Sequence, residues 1–181
     1  RISVELAALN LDVTGVDIIQ SELDAARESA EAENVPLKLI NADLRTFVSQ
    51  KKFDCAVNLY TSFGYCNTET EDMKIIKNIA CSLKEGGIFI LECVSRETSA
   101  LYFTSGEIFE RAGYKVATHF SVEGAWEGLR SQWTLYPLET SEKQIKSGNA
   151  TPVYDHVFVQ RLYSAPKKKK KIIECGFSQA N

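Results

Sequence analysis

Long apolar runs, a strong net charge and clustered metal ligands are all absent from this sequence of 181 residues. No apolar run approaches the roughly 20 residues that a membrane-spanning helix needs. The formal net charge is −3, so there is no general positive field to attract nucleic acid or anionic lipid. These absences argue against nucleic-acid and membrane partners.

Cysteine and histidine are few and scattered along the chain. The two histidines, His119 and His156, stand alone, and none of the five cysteines forms a C-x-x-C pair. A zinc site requires clustered ligands, so the sequence predicts no metal. Unclustered cysteines within apolar segments are typical of buried, reduced thiols, which predicts a cytoplasmic location.

Short apolar runs that end in polar side chains are the most informative feature that is present. Three of them, in residues 13–17, 37–43 and 53–58, close with Asp17, Asp43 and Asn58. Runs of about five apolar residues bounded by polar ones are typical of buried parallel strands. Helical patterns alternate with them over residues 1–10, 21–33, 44–50 and 69–83, and a further strand is expected over 88–94. The alternation predicts an α/β fold, a Rossmann-like parallel sheet with helices on both faces.

The pattern changes after residue 94. Residues 114–122, 128–137 and 153–163 alternate in polarity and are rich in Val, Thr, Trp, Tyr and Phe. Such segments predict antiparallel strands, with a polar turn over 143–152 and a helix over 165–175. The lysine run Lys167 to Lys171 is expected on the outer, solvated side of that last helix.

The acids that close the first two strands indicate an adenosine-containing ligand. Ligands of open α/β sheets bind at the carboxyl ends of the strands. Asp17 in that position can accept hydrogen bonds from both ribose hydroxyls. Asp43, one strand over, can accept from the adenine amine, while the backbone N–H of Leu44 donates to the ring. Each acid could instead cap the helix that follows it, and nicotinamide-binding folds use the position of Asp17 in the same way.

Four motifs occur in the order found in class I S-adenosylmethionine-dependent methyltransferases. They are Val13–Asp17, Asn41–Arg45 (NADLR), Phe53–Asn58 (FDCAVN) and Leu83–Gly87 (LKEGG). The chain resembles this family over about residues 1–178. Thr61–Tyr65 (TSFGY) resembles a small-molecule subgroup that carries an antiparallel β insertion after the fifth strand. The resemblance implies that S-adenosylmethionine is the cofactor and that the methyl acceptor is a small molecule.

The resemblance also assigns roles to individual residues. Those expected to bind the cofactor are Asp17, Ile18, Asp43, Leu44, Asn58 and Leu59. Those expected to bind the acceptor are Tyr60, Phe63, Tyr65, Trp126, Arg130 and Tyr163. The pattern identifies no general base, and Tyr65, Glu92 and His119 are the candidates.

The resemblance further predicts how the chain is divided. Residues 1–95 correspond to the cofactor-binding core, 96–163 to the antiparallel insertion, which would form a lid over the acceptor, and 164–181 to a returning core helix. The family's first strand and glycine-rich loop would precede Arg1, and its last two strands would follow residue 181. We therefore expect the chain to be part of a longer protein that needs those parts to fold and to bind cofactor. The insertion strands could also pair across a two-fold axis in a homodimer.

Two other functions are compatible with the same residues. An NAD(P)-dependent oxidoreductase would need a G-x-G-x-x-G loop upstream, and Asp43 and the late insertion count against it. A non-catalytic relative would keep the fold only to bind an adenosine-containing ligand. A complete gene without the upstream glycine loop would favour that alternative.

Overall fold

The computed structural model describes residues 1–180 as a mixed α/β protein. Its first half contains α1 (Ile2–Ala8), β1 (Thr14–Asp17), α2 (Gln20–Ala32), β2 (Lys38–Asn41), β3 (Phe53–Asn58), α3 (Glu69–Ser82) and β4 (Leu83–Leu91). Its second half contains α4 (Arg96–Leu101), β5 (Ile108–Arg111), β6 (Tyr114–Glu123), β7 (Gly128–Pro137), α5 (Glu142–Lys146), β8 (Tyr154–Arg161) and α6 (Ala165–Glu174). The described residues divide into a first compact unit, Arg1–Ala56 with Met73–Ile88, and a second, which contains Val57–Asp72 and the described residues from Phe89 onward. These units reflect contact density, and the domain boundaries given above stay a prediction.

The first unit contains the predicted parallel strand pair. β1 and β2 run side by side, with Asp17 opposite Asn41. Helix α2 connects the two strands and packs on both of them and on α1. Apolar side chains on the two helices, Val4, Ala7, Leu23 and Ala30, are almost inaccessible to solvent. Removing this apolar surface from water stabilises the helix–strand layer.

Strand β4 starts earlier than the sequence predicts. β3 pairs with β4, and α3 leads into β4 without a loop. We expected two glycines to end the helix and the strand to begin at residue 88, but the strand begins at Leu83. The glycines permit this course, since Gly86 has a φ of 75° and a Cβ on Gly87 would lie 2.9 Å from the Lys84 carbonyl oxygen. The Lys84 ammonium then binds the Asp54 carboxylate of β3 at 2.8 Å.

The second unit is built around a four-stranded antiparallel sheet in the order β5-β6-β7-β8. β6 and β7 pair along their whole length, from Tyr114 opposite Pro137 to Glu123 opposite Gly128. β7 pairs on its other side with β8. The three long strands lie where the sequence predicts them. The antiparallel insertion is therefore confirmed, and with the strand–helix repeat of the first half it confirms the α/β fold class.

Short elements account for the other differences. Residues 44–50 form a turn and irregular backbone, so the helix predicted there is wrong. The Asp43 carbonyl oxygen accepts the N–H groups of Thr46 and Phe47, which closes a single turn that does not continue as a helix. Helix α5 overlaps the first part of the predicted polar turn, and Ser141 and Gln144 form a capping box at its start. Neither α4 nor β5 was predicted, because each is too short to establish a periodic pattern. Within residues 1–180, none of the helices combines the length and the apolar character that crossing a membrane would require.

Candidate functional site

Two acidic side chains lie at the carboxyl ends of neighbouring strands in the first unit. Asp17 ends β1, and its strand partner Asn41 ends β2. Beyond the strands, the Ala42 N–H donates to the Asp17 carbonyl oxygen at 2.9 Å, and the Asn41 amide donates to the Ile18 carbonyl oxygen at 3.2 Å. Asp43 follows two residues after β2. Both acids thus stand at the sheet edge where α/β proteins bind ligands.

The Asp17 carboxylate is only partly used by the protein itself. Its Oδ1 accepts the Ile19 N–H at 2.9 Å, and its Oδ2 has no hydrogen-bond partner among residues 1–180. The neighbouring side chain of Ile18 is 59% exposed, although isoleucine is usually buried. A carboxylate oxygen with spare acceptor capacity beside an exposed apolar side chain suits a ribose and its attached base.

Asp43 is held by a residue that sequence reasoning missed. Arg45 donates its backbone N–H to Oδ1 at 2.8 Å, and its guanidinium donates to both carboxylate oxygens, at 2.6 Å for Nη2 to Oδ2. The side-chain and backbone hydrogen bonds from Arg45 lower the pKa of Asp43. An adenine amine would share this carboxylate with the guanidinium. The Asp-x-Arg spacing was the available sequence signal for the pair.

Leu44 offers its backbone toward the same edge. Its carbonyl oxygen accepts the side-chain amide of Asn78 at 2.9 Å, which ties the turn to α3. Its N–H makes no hydrogen bond within residues 1–180. The donor that we assigned to the adenine ring is therefore available.

In the second unit, Asn58 ends β3 with a buried amide. Its Oδ1 is buried and has no hydrogen-bond partner among residues 1–180, and leaving such an acceptor unpaired is costly. The backbone around it is fixed, because the Asn58 carbonyl oxygen accepts the Glu92 N–H at 2.9 Å and the Leu59 carbonyl oxygen accepts the Ser62 N–H at 3.4 Å. The orphaned oxygen fits a ligand that brings a hydrogen-bond donor, such as the ammonium group of a methionine moiety.

The segment after this strand end, residues 60–67, is called the acceptor loop below. Tyr60 and Thr61 have positive φ angles of 53° and 60°, a conformation that is unfavourable for residues with a Cβ. The Tyr60 N–H donates to the Glu92 carboxylate at 3.1 Å. Glu92, an acid within an apolar strand pattern, is thus paired with the loop backbone, and its side chain is exposed.

The aromatic side chains of the acceptor loop differ in exposure. Tyr65 is 46% exposed, and its ring meets Phe158 edge-on with the ring centroids 5.7 Å apart. Desolvation raises the pKa of Tyr65, so its phenol stays protonated at neutral pH and can donate a hydrogen bond. Phe63 is 3% exposed and packs against Tyr163 with the ring centroids 5.7 Å apart. Phe63 and Tyr163 therefore support the loop from inside the unit.

Asp72 is a fully buried acid that the sequence analysis also missed. Its side chain is 0% exposed. Its Oδ2 accepts the Arg161 guanidinium at 2.6 Å and the Tyr163 hydroxyl at 2.7 Å, and its Oδ1 accepts the Cys66 N–H at 3.3 Å. Burial, followed by the hydrogen bond to Asp72, raises the pKa of Tyr163. No sequence signal was available, because Asp72 stands in an acidic helix start that is usually solvated.

The remaining insertion residues are spread over the antiparallel sheet. His119 is exposed and lies opposite Gln132, two positions along β7 from Arg130, so His119 and Arg130 share one face. Trp126 lies in the β6–β7 turn and meets Phe103 edge-on with the ring centroids 5.4 Å apart. No hydrogen bond or ring contact within residues 1–180 joins His119, Arg130 and Trp126 to one another. In the same part of the chain, no group of His, Cys, Asp and Glu side chains is placed to hold a metal ion.

A cleft of about 750 Å³ lies in the second unit between residues 64–67 and the β6–β7 turn. Its lining includes Phe158 and two acidic residues, Glu123 and Glu127. Neither glutamate forms an ion pair within the described residues, 1–180. Arg161, which also lines the cleft, is neutralised by Asp72. The cleft therefore carries negative charge.

Part of the lysine run packs on the start of α3. The Lys167 ammonium lies 2.7 Å from Glu69 Oε2, and the Lys171 ammonium lies 3.2 Å from Glu69 Oε1. The hydrogen bond from Lys167 is the main cause that lowers the pKa of Glu69. Lys170 keeps 77% of its side chain exposed, as expected for the solvated side of α6. The run thus has a structural contact at its two ends.

Comparison with known proteins supplies a family match. Residues 1–87 match the family model described as Methyltransferase domain. YqeM of Bacillus subtilis is 22% identical over 178 residues, covering 98% of this chain and 69% of YqeM. A protein of Geobacillus, GWCH70_2453, is 29% identical over 186 residues, covering 98% of this chain and 70% of that protein. Both proteins have the word methyltransferase in their names.

Solved structures share the fold. An S-adenosylmethionine-dependent methyltransferase from Clostridium acetobutylicum superposes with a TM-score of 0.73 at 17% identity, over 91% of this chain and 63% of that one. CalS10, an amino pentose methyltransferase from Micromonospora echinaspora solved with its cofactor bound, has a TM-score of 0.64 at 18% identity, over 91% and 65%. This chain thus spans less than two thirds of either structure. At these identities the likeness establishes the fold.

Proposed function

We propose that the protein transfers a methyl group from S-adenosylmethionine to a small-molecule acceptor, because residues 1–87 match a methyltransferase domain and the fold is shared with S-adenosylmethionine-dependent methyltransferases of class I. The resemblance to that family is confirmed by the family match together with the fold. S-adenosylmethionine is the cofactor of the family, and one of the similar structures holds it. The cytoplasmic location and the homodimer stay predictions.

The observation that carries the proposal is the partly unused carboxylate of Asp17 at the end of β1. We assign it to the ribose hydroxyls, with Ile18 against the adenine and Asp43 and Leu44 at the ring edge. Asn58 and Leu59 are assigned to the methionine end. The orphaned amide oxygen of Asn58 supports this, because a buried acceptor without a partner gains most from a ligand that donates to it.

The chemistry that the cofactor supplies is a methyl group already activated on a sulfonium. The residues of this chain then need to orient the acceptor, exclude water and remove a proton where the nucleophile carries one. Tyr65 suits a donor role, because a phenol is protonated at neutral pH and desolvation moves its pKa further upward. Glu92 and His119 are the proposed alternatives for a base, and Glu92 is the one in contact with the acceptor loop.

We place the acceptor against Tyr60 and Tyr65, which are 61% and 46% exposed on the acceptor loop. Phe63 and Tyr163 would support that surface from behind, and Trp126 and Arg130 would contribute from the insertion. The negative cleft beside the loop favours an acceptor that carries an amine. The amino pentose substrate named for CalS10 is of the same chemical kind.

The first experiment is calorimetric titration of the complete gene product with S-adenosylhomocysteine. We expect micromolar binding that weakens in Asp17→Ala by roughly tenfold or more, since hydrogen bonds to a charged group contribute about 1.5–3 kcal/mol. Asp24→Ala is the matched control, because it removes an exposed carboxylate from α2 that binds only Arg27 and Gln20. A folded protein that does not bind would refute the methyltransferase proposal, and NAD would then be titrated.

The acceptor is sought by following S-adenosylhomocysteine formation with a panel of amino sugars and simple amines, and with hydroxyl compounds of matched size. Turnover of amines alone agrees with the negative cleft. Turnover of the hydroxyl compounds alone, with normal cofactor binding, would contradict the amine assignment and leave the methyltransferase activity intact.

A further inference from the structure

We infer that Gln160 is a positioning residue that holds the acceptor loop in the geometry that methyl transfer requires. This inference rests on the proposed function, because it gives the loop the role of presenting Tyr60 and Tyr65 to the acceptor. Gln160 itself is 7% exposed and lies near the end of β8.

The acceptor loop has a backbone that does not hold its shape unaided. Tyr60 and Thr61 are consecutive residues with positive φ, and Gly64 has a φ of 95°. A Cβ on Gly64 would lie 2.6 Å from the Arg161 carbonyl oxygen, so β8 approaches the loop too closely for any side chain there. A strained conformation of this kind persists only where surrounding groups impose it.

Gln160 is the side chain that spans the strained part. Its Nε2 lies 3.0 Å from the carbonyl oxygen of Thr61 and 3.0 Å from that of Phe63. A primary amide has two N–H donors, so one side chain satisfies both carbonyls at once. These contacts join residues 99 and 97 positions apart in sequence, which makes them a direct link between the insertion sheet and the loop.

The neighbouring anchors fix the rest of the loop. The Arg161 N–H donates to the Gly64 carbonyl oxygen at 2.6 Å, and the Arg161 guanidinium donates to the carbonyl oxygens of Cys66 at 3.1 Å and Asn67 at 3.0 Å. Arg161 is itself held by Asp72. Of these anchors, the Gln160 side chain binds Thr61 and Phe63, and the Arg161 N–H binds Gly64, all between the two exposed tyrosines. Because Gln160 holds the part of the loop with consecutive positive φ angles, its loss should change the placement of the tyrosines most directly.

The test compares Gln160→Met with the matched control Gln132→Met in the complete gene product. Methionine keeps the length of the side chain and removes both donors. Gln132 lies on the adjacent strand β7 and donates only to Asp155. Three quantities are measured: hydrogen exchange of the loop amides, S-adenosylhomocysteine affinity, and kcat and KM with the amine that the wild-type enzyme turns over.

We expect Gln160→Met to speed loop exchange and lower kcat, each by roughly tenfold, because misplacing a reacting group costs rate. The dissociation constant of S-adenosylhomocysteine should stay within about threefold, and Gln132→Met should stay within about threefold on every measure. A kcat loss at near-constant cofactor affinity separates positioning from general destabilisation. Gln160→Asn, which keeps an uncharged amide but is one methylene too short to hold both carbonyl oxygens, is the second variant where Gln160→Met does not fold.

Faster loop exchange with an unchanged kcat would overturn the positioning role. Unchanged exchange in Gln160→Met would overturn the claim that Gln160 holds the loop. Failure of the folded wild-type protein to bind S-adenosylhomocysteine would instead refute the proposed function, while the exchange comparison would still decide whether Gln160 fixes residues 60–67.

Discussion

Removing the buried carboxylate of Asp72 should destabilise the protein strongly. The side chain is 0% exposed and accepts the Arg161 guanidinium at 2.6 Å and the Tyr163 hydroxyl at 2.7 Å. Asp72→Ala leaves that hydroxyl buried without an acceptor and leaves the guanidinium, 25% exposed, without its counter-charge. Breaking a buried pair from one side costs about 3–5 kcal/mol. That is a large part of a typical stability of about 5–15 kcal/mol.

The measurement is the melting temperature of the complete gene product by scanning calorimetry. A protein of about 150–250 residues loses about 2–4 °C for each kcal/mol, so Asp72→Ala should melt roughly 6–20 °C lower. Asp54→Ala is the control, because the Lys84–Asp54 pair has a similar distance of 2.8 Å while the Asp54 side chain is 84% exposed. Exposed pairs contribute at most about 1 kcal/mol. Equal melting shifts in the two variants would refute the reasoning.

Three further predictions concern backbone strain and titration. Gly64→Ala should lower the free energy of unfolding more than Gly113→Ala. Both glycines have positive φ, but of the two only Gly64 would place an added Cβ against backbone atoms. Equal losses in denaturant titrations would contradict this. The raised pKa of Tyr163 implies stability that is present below the ordinary phenol value and lost as pH rises above about 10. Melting curves should therefore show wild type and Tyr163→Phe converging in alkaline solution, and a constant difference would argue against it. The pKa of Glu69 is lowered from 4.5, chiefly by the hydrogen bond from Lys167. The contribution of the ionised Glu69 to stability is therefore present above pH 4.5 and is lost as the pH falls. The difference in stability between wild type and Glu69→Gln should close in acid, and a difference that widens would exclude the ion pair as its cause.

The parts of the fold that the sequence predicts are those set by local periodicity. β1, β3 and the long strands β6 and β7 start and end within a few residues of their predicted positions, because alternation and apolar runs are read directly from neighbouring residues. The early start of β4 could not be predicted. Glycine commonly ends helices, so Gly86 and Gly87 suggested a helix end. They lie within β4 because that strand pairs with β3, a contact that is visible only in the structure.

The residues of the candidate site also fall into two groups, those marked by the local sequence pattern and those marked only by contacts with distant residues. Asp17 and Asn58 were found because the end of an apolar run marks a strand end, and strand ends face ligands. Asp72 and Gln160 were not found, because what distinguishes them is burial against partners more than 85 positions away. Arg45 was overlooked for a different reason. It lies two residues from Asp43 and binds its carboxylate. The sequence analysis had assigned that carboxylate to adenine and did not consider a salt bridge within the chain.

The way β8 holds the acceptor loop has a consequence for which substitutions the loop tolerates. The anchors bind carbonyl oxygens of Thr61, Phe63, Gly64, Cys66 and Asn67. Because these hydrogen bonds are made to backbone carbonyl oxygens, they do not depend on the identity of most side chains in the loop. We therefore expect substitutions of Ser62 and Tyr65 to leave the loop backbone in place, whereas position 64 has to remain glycine. Under the proposed function, a library randomised at those two positions would change the surface offered to the acceptor and leave the backbone of the loop in place.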